Sequence, residues 1–297
     1  MLNLDNFYRA RYELGKVIRQ TEVVHAPMVN PECEVYLKLE CLQRTGSFKI
    51  RGACYKISQL SKEEKSHGVI ACSAGNHAQG VALGATSHGI KSLICLPAGA
   101  PISKVEATKG YGADVCLVPG VYDDAYSKAI QLRDEKGYTF VHPFDDENVI
   151  AGQGTIGLEL LDQVADMDAV VVPVGGGGLI SGVAFALKSL NPKIKVYGVQ
   201  AAGAASMVKS LKDKKREKQA TSTSLPGLSS SSTLIIAILP LLASPRLITR
   251  LRIVTSIFPP LTTQTTFLPL TGTLLNITAA TLVAPAPSAT TFSFSSN

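Results

Sequence analysis

The stretch Gly46-Ser47-Phe48-Lys49-Ile50-Arg51-Gly52 sets a lysine beside a phenylalanine and between two glycines. Glycine lets a backbone approach a ligand closely, and a desolvated lysine amine loses its proton and can condense with a carbonyl. A solvated surface lysine would show the same residues, and on this heptad alone that plainer reading leads. Two further stretches reverse it. Cys72-Ser73-Ala74-Gly75-Asn76-His77-Ala78-Gln79-Gly80 follows the apolar run Gly68 to Ala71 and precedes a helical pattern. It reads as a strand-to-helix turn whose free backbone N–H groups face an anion. Gly175-Gly176-Gly177-Gly178-Leu179-Ile180 follows a strand, Asp168 to Val174, and opens a helix. Four consecutive glycines leave nothing between backbone amides and a phosphate.

The tetraglycine turn lacks the Lys-Ser/Thr of a P-loop and the spaced glycines of a dinucleotide fold, which disfavours a plain nucleotide site. A phosphate cradle, a lysine suited to covalent attachment and an amide-rich anion turn together describe a pyridoxal phosphate site with a carboxylate-binding loop. Glu40 to Ala53, Ser73 to Val81 and Gly175 to Gly178 resemble the threonine dehydratase and serine racemase family, within the tryptophan synthase β-like pyridoxal phosphate enzymes. The resemblance runs from about Leu4 to about Thr223, and the catabolic threonine dehydratases look most similar.

The resemblance implies roles. Lys49 would carry pyridoxal 5'-phosphate and Phe48 would pack on its ring. Asn76 would bond the ring hydroxyl, and the amides of Gly175, Gly176, Gly177, Gly178 and Leu179 would hold the phosphate. Ser73, Gly75, Asn76 and His77 would take the substrate carboxylate. Lys49 would also remove the α-proton, and threonine would yield 2-oxobutanoate, or serine pyruvate, with ammonia. Racemases of the group place a serine where this chain has Ala74, which has no proton to give, so dehydration is expected over racemisation. Their cation site falls near Gln200 and Ser206, where carboxylates would be needed, so no metal is expected. An intact chain is also expected to form a homo-oligomer.

The elements that must position these residues follow in order. A helix is expected over 5 to 19, capped by Asp5 or Asn6, and a strand over Glu34 to Glu40 delivers the lysine turn. Helices over 50–60, 76–88, 103–111 and 123–136 alternate with strands over 68–72, 92–96 and 114–118. After 139–143 come a helix to about Val164, the strand 168–174, a helix to about Leu190 and a strand over 195–201. This rhythm argues α/β architecture with parallel sheets covered on both faces. By the resemblance, 1–49 with 141–224 would form an incomplete large cofactor-binding domain and 50–140 a small one, two parallel-sheet α/β domains in all.

Other residues are given plainer readings. Asp145 and Asp146 could hold a metal but are better placed to cap the following helix. His25, His67, His88 and His142 are read as structural. The six cysteines all lie within the first 116 residues without metal-ligand spacing and read as reduced, mostly buried thiols of a cytoplasmic protein; Cys72 as a nucleophile is the weaker alternative. The N-terminus has no apolar core of a secretory signal. The net charge is +6, but the last 73 residues hold Arg246, Arg250 and Arg252 and no Lys, Asp or Glu. Residues 1–224 therefore carry 26 basic and 23 acidic side chains, a balance that gives no case for nucleic acid.

From Leu225 the composition changes: 23 Ser or Thr and 8 of the 16 prolines fall among 73 residues. The apolar run Leu234 to Leu242 is too short to span a membrane and is broken by Pro240. Family members continue instead with further α/β structure, including the group that faces the pyridine nitrogen. An out-of-frame or mis-spliced end is therefore expected, the alternative being a genuine disordered or mucin-like tail. Loss of the usual ending is expected to leave apolar sheet edges unpaired, and a truncated, non-catalytic chain stands as the second functional reading, with a racemase-like enzyme as a third.

Overall fold

The computed structural model describes residues 1–213 except 31, 202 and 203, and the backbone of 252–256 and 289–294. In chain order the elements are α1 (Leu4–Leu14), β1 (Val23–His25), β2 (Glu34–Lys38), a 3-10 turn (Glu40–Leu42), α2 (Lys49–Ser58), α3 (Lys62–His67) and β3 (Val69–Cys72). Then come α4 (Asn76–Ser87), β4 (Ser92–Pro97), α5 (Ile102–Gly110), β5 (Asp114–Val118), α6 (Tyr122–Lys136), β6 (Thr139–Phe140) and α7 (Glu147–Gln163). The chain continues through β7 (Ala169–Pro173), α8 (Gly178–Leu190), β8 (Lys195–Ala201) and α9 (Ser206–Asp213), with β9 (Arg252–Ser256) and β10 (Ala289–Phe294) beyond.

Two compact units result, Met1–Gln20 with Leu42–Thr155, and Thr21–Cys41 with Ile156–Asn297. The expected small domain, 50–140, lies within the first. That unit holds a four-stranded sheet in the order β5-β4-β3-β6, parallel throughout. β3 is buried at all four positions, as a strand covered on both faces must be. One face of the sheet packs a cluster that includes Val69, Ala71, Ala78, Val81, Ala82, Ala85 and Ile94, with Ala53 and Ile57 of α2. The other packs Ile70, Cys72 and Cys95 against Ala125, Ala129 and Leu132 of α6.

Helices α2 and α4 pack closely because α4 lacks side chains where they touch. A Cβ on Gly80 would stand 3.1 Å from the backbone of Lys49 and Ile50, and one on Gly84 would meet Cys54 at 3.0 Å. The start of α2, where Lys49 sits, is thus seated on a helix that runs out of the anion turn.

The second unit holds a six-stranded sheet in the order β1-β2-β9-β7-β8-β10. β2, β9, β7 and β8 run parallel, while β1 and β10 add antiparallel edges. Val35, Val171 and Val199 form part of its core. Lys38 is buried, and its amine bonds Glu159 of α7, Gln163 Oε1 at 2.8 Å and Thr21 O at 2.7 Å. A buried lysine is tolerated where a carboxylate and further acceptors meet it.

The α/β rhythm is as read from the sequence, with four differences. The helix at the N-terminus ends at Leu14 and is capped by Asn3, not Asp5 or Asn6: Asn3 and Asn6 exchange side-chain to backbone bonds at 2.9 and 3.1 Å. That reciprocal pair does the work of a capping box. Helix α3, unforeseen, is too short and polar to show apolar periodicity, and starts on a Ser61/Glu64 capping box. β1 is three residues long, too short for alternation to register. The expected unpaired edge is also corrected: β9 lies between β2 and β7, and β10 pairs with β8. Arg252-Ile253-Val254-Thr255-Ser256 has the β-branched run that suits a central strand. The rest of 225–297, including Leu234 to Leu242, lies outside the described residues.

All six cysteines are unbridged, four of them buried. Burial pushes the Cys72 thiol up to about 12, which removes it as a nucleophile near neutral pH. Asp146 caps α7, its Oδ1 accepting from Asn148 and Val149 N–H at 2.8 and 3.1 Å. Among the described residues no helix is long and apolar enough to cross a membrane.

Candidate active site

Lys49 is the first residue of α2. The chain reaches it through a turn closed by Gly46 N–H on Gln43 O at 2.7 Å, with Gly46 at φ +69°, a conformation glycine adopts freely. Ser47 Oγ accepts from Lys49 N–H at 3.1 Å and fixes the entry to the helix. The second flanking glycine serves packing rather than a ligand: a Cβ on Gly52 would lie 2.6 Å from Gln153 Nε2 and 2.7 Å from Val149 O, both on α7.

The Lys49 side chain runs back into the unit. Its amine donates to Pro143 O at 2.7 Å and stands 5.5 Å from the Phe48 ring centroid and 6.0 Å from that of Phe144. Burial lowers its pKa from 10.5 to about 8. Near neutral pH about a tenth of this amine is therefore unprotonated, the form that bonds a carbonyl carbon or accepts a proton.

The turn after β3 is shaped by Ser73, whose Oγ accepts from Gly75 N–H at 3.2 Å. A Cβ on Gly75 would meet nothing within 4 Å, so open space lies over the turn. Helix α4 then begins with no side-chain cap. Its first backbone N–H groups, from Asn76 to Ala78, have no intrahelical acceptor and are available to an anion. The side chain of Asn76 is exposed, whereas that of His77 is buried. His77 Nε2 lies 2.9 Å from Val141 O, so Nε2 carries a proton, and burial holds the ring neutral. The ring of His77 is thus committed to Val141; a carboxylate at this turn would meet His77 through its backbone N–H.

In the second unit, β7 ends at Pro173 and the four glycines lead into α8, thirteen residues long. Gly177 caps it in the left-handed region at φ +93°, where a Cβ would also stand 2.8 Å from Met207 Cε. Position 177 therefore strains any side chain, and the turn leads its backbone amides into a helix start. Gln200, at the expected place of a racemase cation site, accepts from Met207 and Val208 N–H at 3.0 and 3.1 Å and caps α9.

The fold thus brings Phe48, Lys49, Ser73, Gly75, Asn76 and His77 together in one unit and sets Gly175 to Leu179 at a helix start in the other. The sequence reading did not name Pro143 and Phe144, which flank the amine, or Val141, which holds His77. Backbone carbonyls leave no composition signal.

Residues 14–249 match the family model described as pyridoxal-phosphate dependent enzyme. The chain belongs to this family. An L-threonine ammonia-lyase of Thermotoga maritima is 49% identical over 220 residues, 73% of this chain and 55% of that protein. A catabolic L-threonine dehydratase of Escherichia coli K12 is 48% identical over 199 residues, 66% of this chain and 60% of that protein. The chain therefore spans a little over half the length of these curated relatives. Among solved structures, a serine racemase from Dictyostelium discoideum superposes with a TM-score of 0.70 at 40% identity, covering 73% of this chain and 71% of that one. The resemblance carried by the three motifs, and the fold it implied, are borne out.

The family's cofactor can be tested against residues present here. A part-buried lysine whose amine is lowered to about 8 and flanked by two aromatic rings suits covalent attachment of an aromatic aldehyde. A run of glycines with Gly177 in the left-handed region, at the start of a thirteen-residue helix, suits a phosphate. The residues fit the group.

Proposed function

We propose that the chain performs pyridoxal phosphate-dependent β-elimination on small hydroxy amino acids, turning L-threonine into 2-oxobutanoate and ammonia, and L-serine into pyruvate and ammonia. The observation that carries this reading is the Lys49 amine, lowered to about 8 and resting on Pro143 O in the same unit as the open helix start at Asn76. The names of the relatives above support the substrate class. When bound, the cofactor withdraws electrons from the substrate's α-carbon.

This chain's own residues do the rest. Lys49 would hold the cofactor, and its free amine would take the α-proton of the substrate. Phe48 and Asn76 would hold the cofactor ring. Gly175 to Leu179 receive the phosphate on backbone N–H groups. Ser73, Gly75, Asn76 and His77 receive the substrate carboxylate, His77 by its main chain. Ala74 offers no proton to the opposite face of the α-carbon, so elimination proceeds without racemisation. The reading includes a small domain over 50–140, a cytoplasmic location and a homo-oligomer.

A second reading, a chain that binds cofactor weakly and does not turn over, is favoured by one observation: identity to the curated relatives spans 199 to 220 residues and 55 to 60% of their length. Incubation of the cofactor-loaded chain with L-threonine, L-serine or D-serine separates the readings. We expect 2-oxo acid and ammonia in equal amounts from the two L-amino acids and no D-serine from L-serine. D-serine as the main product would replace elimination by racemisation, and no product with any of the three would favour the second reading.

A further inference from the structure

The unused feature of the first unit is the buried ring of His77. One nitrogen is bonded to Val141 O at 2.9 Å, while Nδ1 is buried and has no hydrogen-bond partner. Val141 and Pro143 are alternate residues of the segment that continues β6, and Val141 N–H extends the ladder onto Ile70 O at 2.9 Å. Two residues beyond the carbonyl that takes His77 stands the carbonyl that takes the Lys49 amine, at 2.7 Å. Between them, His142 Nδ1 accepts from Phe144 and Asp145 N–H at 3.3 and 2.8 Å, which ties down the far end of the segment.

We infer that His77 is a positioning residue for Lys49: its ring fixes Val141, and with it the Pro143 carbonyl on which the amine rests, so the anion turn and the amine are joined through one short segment. A hydrogen bond to the charged form of an amine favours that form, so Pro143 O partly offsets the desolvation of Lys49. Loss of the His77 bond removes that offset. Burial first, then Lys49 and His142, hold the His77 ring neutral, at about 3, against the opposing pull of the Val141 bond. Burial lowers the Lys49 amine to about 8 even with that carbonyl in place. The catalytic meaning of this link rests on the proposed role of Lys49; the link itself does not.

The test is trace acylation of the full-length, cofactor-free chain with acetic anhydride across the neutral to alkaline range, each lysine read by mass spectrometry. Exposed Lys109 and Lys136 serve as references. In the unsubstituted chain Lys49 is expected to titrate at about 8. In His77→Phe, which has no N–H, and in His77→Asn, whose amide is too short to reach Val141, its midpoint is expected to fall by about one unit. Labelling at neutral pH then rises roughly fivefold. His77→Gln, whose Nε2 can reach Val141 O, is expected to restore the original midpoint. An unchanged Lys49 midpoint in the Phe and Asn variants, or the same shift in the Gln variant, overturns the inference; should His77→Phe fail to fold, His77→Asn decides. A chain that shows this shift but yields no 2-oxo acid would overturn the proposed function and leave the link standing.

Discussion

Lys49→Ala is expected to abolish turnover of L-threonine and L-serine. In the proposed function the substitution removes both the group that attaches the cofactor and the base that takes the α-proton; positioned proton transfer alone contributes on the order of 10²–10⁴-fold. Cofactor binding is expected to persist weakly through the glycine turn, without the absorbance of a lysine-bound cofactor. The same variant makes a separate statement about stability. Folding lowers the Lys49 pKa from 10.5 to about 8, so between these values the unfolded chain binds more protons than the folded one, and stability rises with pH across that window. Below about 8 the folded state bears the whole penalty. Thermal unfolding followed with pH is therefore expected to lose that rise in Lys49→Ala. An unaltered pH slope would mean that the amine is not desolvated, and full activity would remove Lys49 from the chemistry.

Gly152→Ala is expected to give the largest loss of stability among single glycine changes in the first unit. A Cβ there would lie 2.6 Å from Arg51 O, 2.7 Å from Gly52 Cα and 2.9 Å from Arg51 C, all backbone atoms of α2. A rotamer change relieves contact with a side chain, but here the two helices must separate. The movement would also stretch Arg51 Nη1 from Thr155 Oγ1, now 3.1 Å away. Overpacking of this kind costs about 1–3 kcal/mol, and backbone on both sides places this site at the upper end. About 3 kcal/mol corresponds to a fall in Tm of roughly 6–12 °C. Gly110→Ala, where a Cβ would meet nothing within 4 Å, is the matched control and is expected to be near neutral. Because α2 begins at Lys49, Gly152→Ala is also expected to lower kcat in the fraction that folds. Equal Tm values for the two variants would show that α2 and α7 are not packed as described.

These two residues also show what the sequence makes legible. Lys49 could be singled out because its type and its neighbours Gly46, Ser47 and Phe48 are chemically unusual together, and the two glycine-bearing turns fall where strands give way to helices. The reason for Gly52 was not legible: the position reads as a ligand approach and proves to be a helix crossing, because its partner Gly152 is a hundred residues away. Pro143 was hidden for a different reason, since its contribution is a carbonyl that every residue possesses. His77 could be placed at the anion turn but the state of its ring could not, because that depends on Val141, a residue with no chemistry of its own. In the tail, composition pointed away from structure, yet Arg252 to Ser256 forms a central parallel strand. A five-residue segment with three β-branched residues at its centre needs only neighbours on both sides, and β2 and β7 supply them.

The central claim is that Lys49, and no other lysine, bonds the cofactor. It is tested most directly by loading the full-length chain with pyridoxal phosphate, reducing with borohydride and locating the phosphopyridoxyl group by peptide mass spectrometry. The expected result is modification at Lys49 in near-stoichiometric yield, lost in Lys49→Ala with no other lysine taking its place. Modification spread over exposed lysines such as Lys109 and Lys136, with Lys49 unmodified, would contradict it.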